Sequence, residues 1–190
     1  MHTSFLFVRP PRTGFSLVEL MVVVSIVTVI TLVALVRHSS FNSTTLLNNL
    51  SYDIALTIRQ AQAYGVSVRN TGQGGNEFSA AYGVHFNALD RSSYLIFQDL
   101  NNNNAYDDGE VVETYQLRRS HEIVDVCQNA NCFENNGIGE LDVVFRRPNP
   151  DAIINGSLNS AATITIGSDQ GDMEREIEVL ATGQISIGAN

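Results

Sequence analysis

The sequence predicts an α+β fold, in which a long N-terminal helix packs on an antiparallel β-sheet or β-sandwich domain. A long apolar run and then an amphipathic stripe occupy the first third of the chain. Short alternating segments, separated by clusters of Asn, Asp and Gly, occupy the rest. Strands that follow one helix, without alternating helix–strand units, are typical of an antiparallel sheet with a helix on one face.

The apolar run predicts a membrane-spanning helix at 15–36. It reads FSLVELMVVVSIVTVITLVALV, which is 22 residues with one charge and no Gly or Pro. A helix of this length rises roughly 33 Å, enough to cross the hydrocarbon core of a bilayer. A buried helix of a soluble protein would usually be shorter and have a polar face. A secretory signal peptide would have an apolar region of about 7–15 residues and a cleavage site of small residues.

The charges that flank the span predict its orientation. Arg9 and Arg12 precede it, so we expect the N-terminus in the cytoplasm and the later domain outside it. Arg37, just beyond the span, weakens the asymmetry.

A second helical segment is predicted at 37–65. Apolar residues recur there every three or four positions, at Leu47, Leu50, Ile54, Ile58 and Ala61. We expect this stripe to cover a sheet, with the helix ending near Gly65.

The remaining residues, 66–190, predict a β-rich domain outside the cytoplasm. The predicted strands are Val66–Asn70, Phe78–Phe86, Ser93–Gln98, Val111–Leu117, Glu122–Val126, Leu141–Arg147, Ala161–Gly167, Met173–Leu180 and Gln184–Ile187.

Composition argues against two classes of function. The formal charge of the 190-residue chain is −9 and all eleven basic residues are Arg, so we expect no nucleic-acid partner. The common nucleophile, zinc-protease, phosphate-loop and dinucleotide motifs are absent. His2 leaves with the leader, His38 adjoins the membrane, and His85 and His121 lie in strand-like segments with no partnered nucleophile visible. We therefore expect that the protein is not an enzyme.

Glu19 is the one charge within the predicted span. An ionised carboxylate in hydrocarbon costs several kcal/mol, so it is rare without a role. Either Glu19 lies at the headgroup level and contacts water, or it meets a positive partner within the membrane. The residue pattern leaves both interpretations open.

The stretch GFSLVEL, from Gly14 to Leu20, follows a basic leader and opens the apolar run. It resembles the prepilin cleavage and methylation motif of type IV pilins and type II secretion pseudopilins. The resemblance implies a leader at 1–14, cleavage by a prepilin peptidase between Gly14 and Phe15, and methylation of the new N-terminus. It also implies that Glu19 pairs with the N-terminal amine of a neighbouring subunit during assembly.

Two further stretches, SYDIALTIRQAQAYGVSVR at 51–69 and EIEVLATGQISI at 176–187, are similar to the GspH/FimT branch of minor pilins and pseudopilins. That branch implies a helix followed by a β-sandwich-like domain. Its DNA-binding members have a basic C-terminal tail, whereas this chain ends in GQISIGAN.

These resemblances predict a structural subunit of a type IV pilus or related filament. The predicted partners are other pilin-like subunits, the prepilin peptidase and an inner-membrane assembly platform. The alternatives are a pseudopilin of a type II secretion system, or an adhesive or ligand-binding surface protein displayed on the filament.

A calcium site is a further hypothesis, based on the loop DLNNNNAYDDGE at 99–110. With Asp99 as position one, the ligand positions of an EF-hand loop fall on Asp99, Asn101, Asn103, the Ala105 carbonyl, Asp107 and Glu110. The sixth position is Asn104, where Gly is usual, but Asn tolerates a left-handed backbone. An Asn- and Asp-rich hairpin without an ion is the alternative.

The two cysteines, Cys127 and Cys132, are close in sequence. A location outside the cytoplasm favours a disulfide between them, and two free thiols are the alternative. A zinc site is not expected, because no second ligand pair accompanies the C-x4-C spacing.

Overall fold

A computed structural model of the chain describes residues 14–67, 80–117, 121–135, 137–168 and 173–189, without the side chains at 36–43 and 189. The leader predicted at 1–14 therefore lies outside the described residues, apart from Gly14. The chain forms two compact units, Met1–Asn42 and Ser43–Asn190.

The described secondary structure consists of one long helix, ten strands and one 3-10 turn. The helix is α1 (Leu17–Val66), and the 3-10 turn is Phe133–Asn135. The strands are β1 (Ala81–Asn87), β2 (Ser93–Asp99), β3 (Val111–Gln116), β4 (His121–Gln128), β5 (Asn131–Cys132), β6 (Glu140–Phe145), β7 (Ala152–Ile154), β8 (Ala162–Ser168), β9 (Glu174–Val179) and β10 (Ile185–Ala189).

The first part of α1 has the properties of a membrane span. Its segment Leu17–Leu35 has a mean hydropathy of 2.7, and none of it is buried within the chain. The hydroxyl groups of Ser25, Thr28 and Thr31 each donate a hydrogen bond to a carbonyl three or four residues earlier. These polar side chains are thus satisfied within the helix, as an apolar environment requires.

The later part of α1 covers the β-domain. Leu47, Ile54, Ile58 and Ala61 are completely or almost completely buried, and Leu50 is partly buried against the same core. This is the predicted apolar stripe, and it lies in the second compact unit.

The end of α1 corrects one predicted strand. The strand expected at Val66–Asn70 is wrong at its start, because Val66 is the last residue of the helix. Residues 68–70 of that prediction lie outside the described residues. The helix ends one residue after Gly65, so the predicted end near Gly65 is confirmed. Gly65 packs against the backbone carbonyl of Phe145 in β6. Its missing side chain therefore serves close packing between helix and sheet.

The strands form two antiparallel five-stranded sheets. Sheet A has the order β3-β2-β1-β6-β7, and sheet B has the order β10-β9-β8-β4-β5. One large buried cluster joins α1 to inward residues of both sheets, such as Val84 and Phe86 in sheet A and Ile164 and Ile177 in sheet B. The α+β fold class is confirmed.

Two short strands were not predicted. β5 has two residues and β7 has three, too few to show an alternating pattern. Each is an edge strand of its sheet, and its neighbour in the sheet determines its place.

Candidate functional site

The helix start is the first candidate site. Gly14 and Phe15 are exposed, and a side chain added at Gly14 would contact nothing in the described structure. Ser16 Oγ accepts a hydrogen bond from the backbone N–H of Glu19, at 3.2 Å. Ser16 therefore caps α1, and Ser16 and Glu19 have the Ser-x-x-Glu spacing of a capping box. The Ser-x-x-Glu spacing is visible in the sequence and was not among the predicted features.

Glu19 lies in the first turn of α1, where a negative charge interacts favourably with the positive end of the helix dipole. Its side chain is exposed. The ion pairs found among the described residues do not include Glu19. A partner from another molecule could therefore reach its carboxylate.

The loop at 99–110 is the second candidate site. It connects β2 to β3 in a hairpin, so its flanks are strands, as predicted, and not the helices of an EF-hand. Asn102 and Asn104 have left-handed backbones, with φ of 64° and 62°. The left-handed turn at the sixth position, where an EF-hand loop has Gly, is thus present with Asn104.

Asp99 organises the first half of this loop. It is completely buried. Its Oδ1 accepts the backbone N–H of Asn103 at 3.1 Å, and its Oδ2 accepts that of Asn104 at 3.0 Å. Arg146 Nη2 donates to the same Oδ2 at 3.3 Å. A buried carboxylate is stable only with such hydrogen bonds and a charged partner.

Asp107 and Glu110 organise the second half. Asp107 Oδ2 accepts hydrogen bonds from the side-chain amides of Asn101, at 2.8 Å, and Asn103, at 2.6 Å. Glu110 accepts the backbone N–H groups of Leu100, at 2.9 Å, and Asp107, at 3.1 Å. All five predicted side-chain ligands therefore lie in one hairpin, where hydrogen bonds hold the three carboxylates in place.

The side chains are of the chemical type that calcium prefers, because three carboxylates and two amides can all provide oxygen ligands. Asn104 Oδ1 is buried and has no hydrogen-bond partner in the described part of the chain. The carboxylate oxygens of Asp99, Asp107 and Glu110 do not form a cluster with all distances within 4.8 Å. The side chains would therefore have to turn toward an ion.

Tyr106 attaches the loop to the outer face of sheet A, which the sequence did not predict. Its ring lies 4.6 Å from the imidazole of His85 and 5.6 Å from Phe97, between ring centres. Its backbone N–H donates to Asp142 Oδ2 at 3.3 Å, and Asp142 Oδ1 lies 2.8 Å from His85 Nδ1. Burial, and secondarily the charges of Asp108 and Glu110, raise the pKa of the Tyr106 phenol. The phenol is therefore neutral at physiological pH.

The comparison with protein families concerns the first site. Residues 9–35 match the family model of the prokaryotic N-terminal methylation motif. The chain carries the methylation motif of type IV pilins and pseudopilins. No curated protein and no solved structure matches the chain significantly. The matched segment includes Gly14, Phe15 and Glu19 and ends before the β-domain.

The pilin-type motif has direct implications for processing and partners. It implies processing by a prepilin peptidase and assembly with other pilin subunits. It marks structural subunits rather than enzymes. Together with the apolar start of α1, it fits a precursor that is anchored in a membrane before assembly.

The β-domain contains one disulfide. Cys127 in β4 and Cys132 in β5 are bonded to each other, with their Cα atoms 4.0 Å apart. Asp125 lies beside them and forms with both sulfurs a compact group of possible metal ligands. Bonded sulfurs are not thiolates, so they are not available as metal ligands.

Proposed function

We propose that the protein is a structural subunit of a type IV pilus or related filament, cleaved after Gly14 and polymerised through its N-terminal helix. The observation that carries the proposal is the methylation motif at residues 9–35, whose described helical part, Leu17–Leu35, is an apolar segment with no buried residues. An apolar surface of this length needs lipid before assembly, and other helices can replace that lipid in a filament.

In the proposal, Glu19 forms the ionic contact between neighbouring subunits. Cleavage between Gly14 and Phe15 would create a positive N-terminal amine beside the apolar helix. An isolated charge in an apolar environment is costly, and a pair of opposite charges costs much less. The Glu19 carboxylate, which is exposed in the single chain, would pair with the amine of the neighbouring subunit.

The globular domain supports a minor subunit of the GspH/FimT branch. Two antiparallel sheets after α1 agree with the β-sandwich-like domain that the resemblance to this branch implies. The same motif is compatible with a pseudopilin of a type II secretion system, acting with an inner-membrane assembly platform. An adhesive protein displayed on the filament would use the same anchor and differ in what its β-domain binds.

Nucleic acid is not a proposed partner, because the outer face of sheet B is acidic. A cavity of about 370 Å³ on that face is lined by Asp125, Glu134, Glu174 and Glu176, among other residues. These carboxylates would repel a phosphate backbone.

Mass spectrometry of the native protein tests the proposal. The mature chain from membranes and from sheared filaments should begin at a methylated Phe15. The same experiment should find the protein in the filament fraction, at low abundance for a minor subunit and at high abundance for a major one. A mature chain that retains 1–14, or absence from every filament or pseudopilus preparation, would contradict the proposal.

We also propose that the loop at 99–110 binds calcium. Asp99, Asp107 and Glu110 would provide anionic ligands, Asn101 and Asn103 amide oxygens, and Ala105 its backbone carbonyl. The left-handed Asn104 and its unpartnered side-chain oxygen support this site. Sites of this type outside the cell bind calcium at about 10⁻⁴–10⁻³ M.

Thermal unfolding of the full chain in detergent tests the calcium proposal. Millimolar calcium should raise the melting temperature of the β-domain relative to a chelator, because an ion bound only by the folded state stabilises it. Asp99→Ala and Glu110→Ala should abolish the increase, whereas Asp151→Ala, at an exposed site outside the loop, should retain it. Equal melting in both buffers, with no heat of calcium binding, would leave the loop as a polar turn.

A further inference from the structure

Arg146 is the cation nearest to the loop at 99–110 among the ion pairs of the described residues. Its Nη2 atom lies 3.3 Å from Oδ2 of the completely buried Asp99. The loop itself contains four carboxylates, at Asp99, Asp107, Asp108 and Glu110, and no basic residue. Arg146 therefore provides positive charge at the point where the loop begins.

The register of sheet A places Arg146 there. Ala81 of β1 pairs with Asp99 of β2 on one side. On the other side, Tyr82 pairs with Phe145, so Arg146 follows beside Ala81. Asp99, Ala81 and Arg146 thus form one row across three neighbouring strands. Ala81 has only a methyl group, and the long Arg146 side chain extends across it to Asp99.

Arg146 has one hydrogen-bond donor that the described residues do not satisfy. The Nε–H of Arg146 is buried and has no hydrogen-bond partner in the described structure. An unsatisfied buried donor costs free energy, and the attraction to Asp99 offsets that cost. The guanidinium group is therefore held mainly by one carboxylate and not by a complete hydrogen-bond network.

We propose that Arg146 is the internal counter-cation of this loop and competes with calcium for Asp99. The inference rests on the calcium proposal above and adds its regulation. Without calcium, Arg146 neutralises Asp99 and keeps the loop folded. With calcium, the guanidinium and the ion have like charge at the same carboxylate, so Arg146 weakens calcium binding and moves away from Asp99 when the ion binds.

Calcium titration calorimetry of the full chain in detergent tests this competition. Arg146→Gln, which removes the charge and keeps a polar side chain, should bind calcium about tenfold more tightly. The same variant should melt at a lower temperature in chelator, because Asp99 loses its charged partner. Arg146→Lys should bind calcium with the wild-type affinity. Arg147→Gln, which removes the adjacent positive charge, should match the wild type in both measurements.

The outcomes separate the two proposals. If the wild type binds calcium and Arg146→Gln binds it equally or more weakly, the competition is wrong and the calcium site remains. If neither protein binds calcium at millimolar concentration, both proposals fail.

A measurement on the wild type covers the case in which Arg146→Gln does not fold. In nuclear magnetic resonance spectra, calcium should shift the Nε–H signal of Arg146 and leave that of Arg147 in place. An unchanged Arg146 signal at calcium saturation would overturn the inference.

Discussion

The hydroxyl oxygen of Ser16 lies 3.2 Å from the backbone nitrogen of Glu19 and accepts its hydrogen bond at the start of α1. This relationship gives Glu19 a local position in the capped first turn of the helix. Because the cap uses the backbone N–H of Glu19, a change of the Glu19 side chain leaves this hydrogen bond available and tests the carboxylate alone.

The first prediction concerns the charge of Glu19. Glu19→Gln keeps a side chain that can hydrogen-bond at the helix start and removes the charge, so insertion into the membrane should be unchanged. Recovery of the variant in sheared filaments should fall strongly if the carboxylate pairs with a neighbouring amine. Quantitative immunoblots of the membrane and filament fractions measure both.

Ser16→Ala is the matched control for this prediction. It removes the cap, at a cost of about 0.5–2 kcal/mol of helix stability, but retains the charge. It should enter filaments nearly as well as the wild type. Normal incorporation of Glu19→Gln would instead show that Glu19 serves only the helix start or the membrane interface.

The second prediction concerns processing. Gly14 is exposed, and nothing in the described structure lies where its side chain would be. Gly14→Leu should therefore leave folding unaffected and block cleavage, because the peptidase must approach the backbone at this position. The uncleaved precursor should accumulate in membranes, as measured by intact mass.

Gly139→Leu is the control for this prediction. It changes another exposed glycine with no neighbour at its side-chain position, so this variant should be cleaved normally. Efficient cleavage of Gly14→Leu would contradict the assigned site.

The sequence predicts those parts of the fold that depend on local pattern. The stripe that includes Ile54 and Ile58 indicated which side of α1 is buried. Alternation in β8 separated the half-buried Thr163 from the buried Ile164 and Ile166, although Thr165 is buried as well. These predictions require only the spacing at which side chains return to the same face of a helix or a strand.

Contacts between distant residues were not predictable in this way. Arg146 reaches Asp99 only because β1 lies between β2 and β6. His85 meets Asp142 for the same reason, since the register pairs these two residues across β1 and β6. Strand order and register are properties of the whole sheet, and a single sequence does not specify them locally.

The third prediction concerns the disulfide. It closes a small loop between β4 and β5, so its removal should cost at most about 2–3 kcal/mol of unfolding free energy by loop-entropy reasoning. The double variant Cys127→Ser/Cys132→Ser should fold, and it should melt at a somewhat lower temperature than the wild type. In the unreduced and denatured wild type, neither cysteine should react with a thiol label. Labelling of both cysteines would show that the native protein contains free thiols.

The fourth prediction concerns the packing of α1 on sheet A. A side chain at Gly65 would collide with the backbone carbonyl of Phe145, and backbone cannot move aside as the end of a flexible side chain can. Overpacking in Gly65→Ala should cost the upper part of about 1–3 kcal/mol, because the clash is with backbone. The better helix propensity of Ala returns roughly 1 kcal/mol, so the net loss of stability should be about 2 kcal/mol. Chemical denaturation followed by circular dichroism measures this difference.

Gly139→Ala is the control for the packing prediction. An added methyl group there would meet nothing, so its effect should stay within about 0.5 kcal/mol. A Gly65→Ala variant as stable as Gly139→Ala would mean that α1 and β6 can separate at no cost. In that case Gly65 would be replaceable, and the close contact between helix and sheet would not contribute to the stability of the domain.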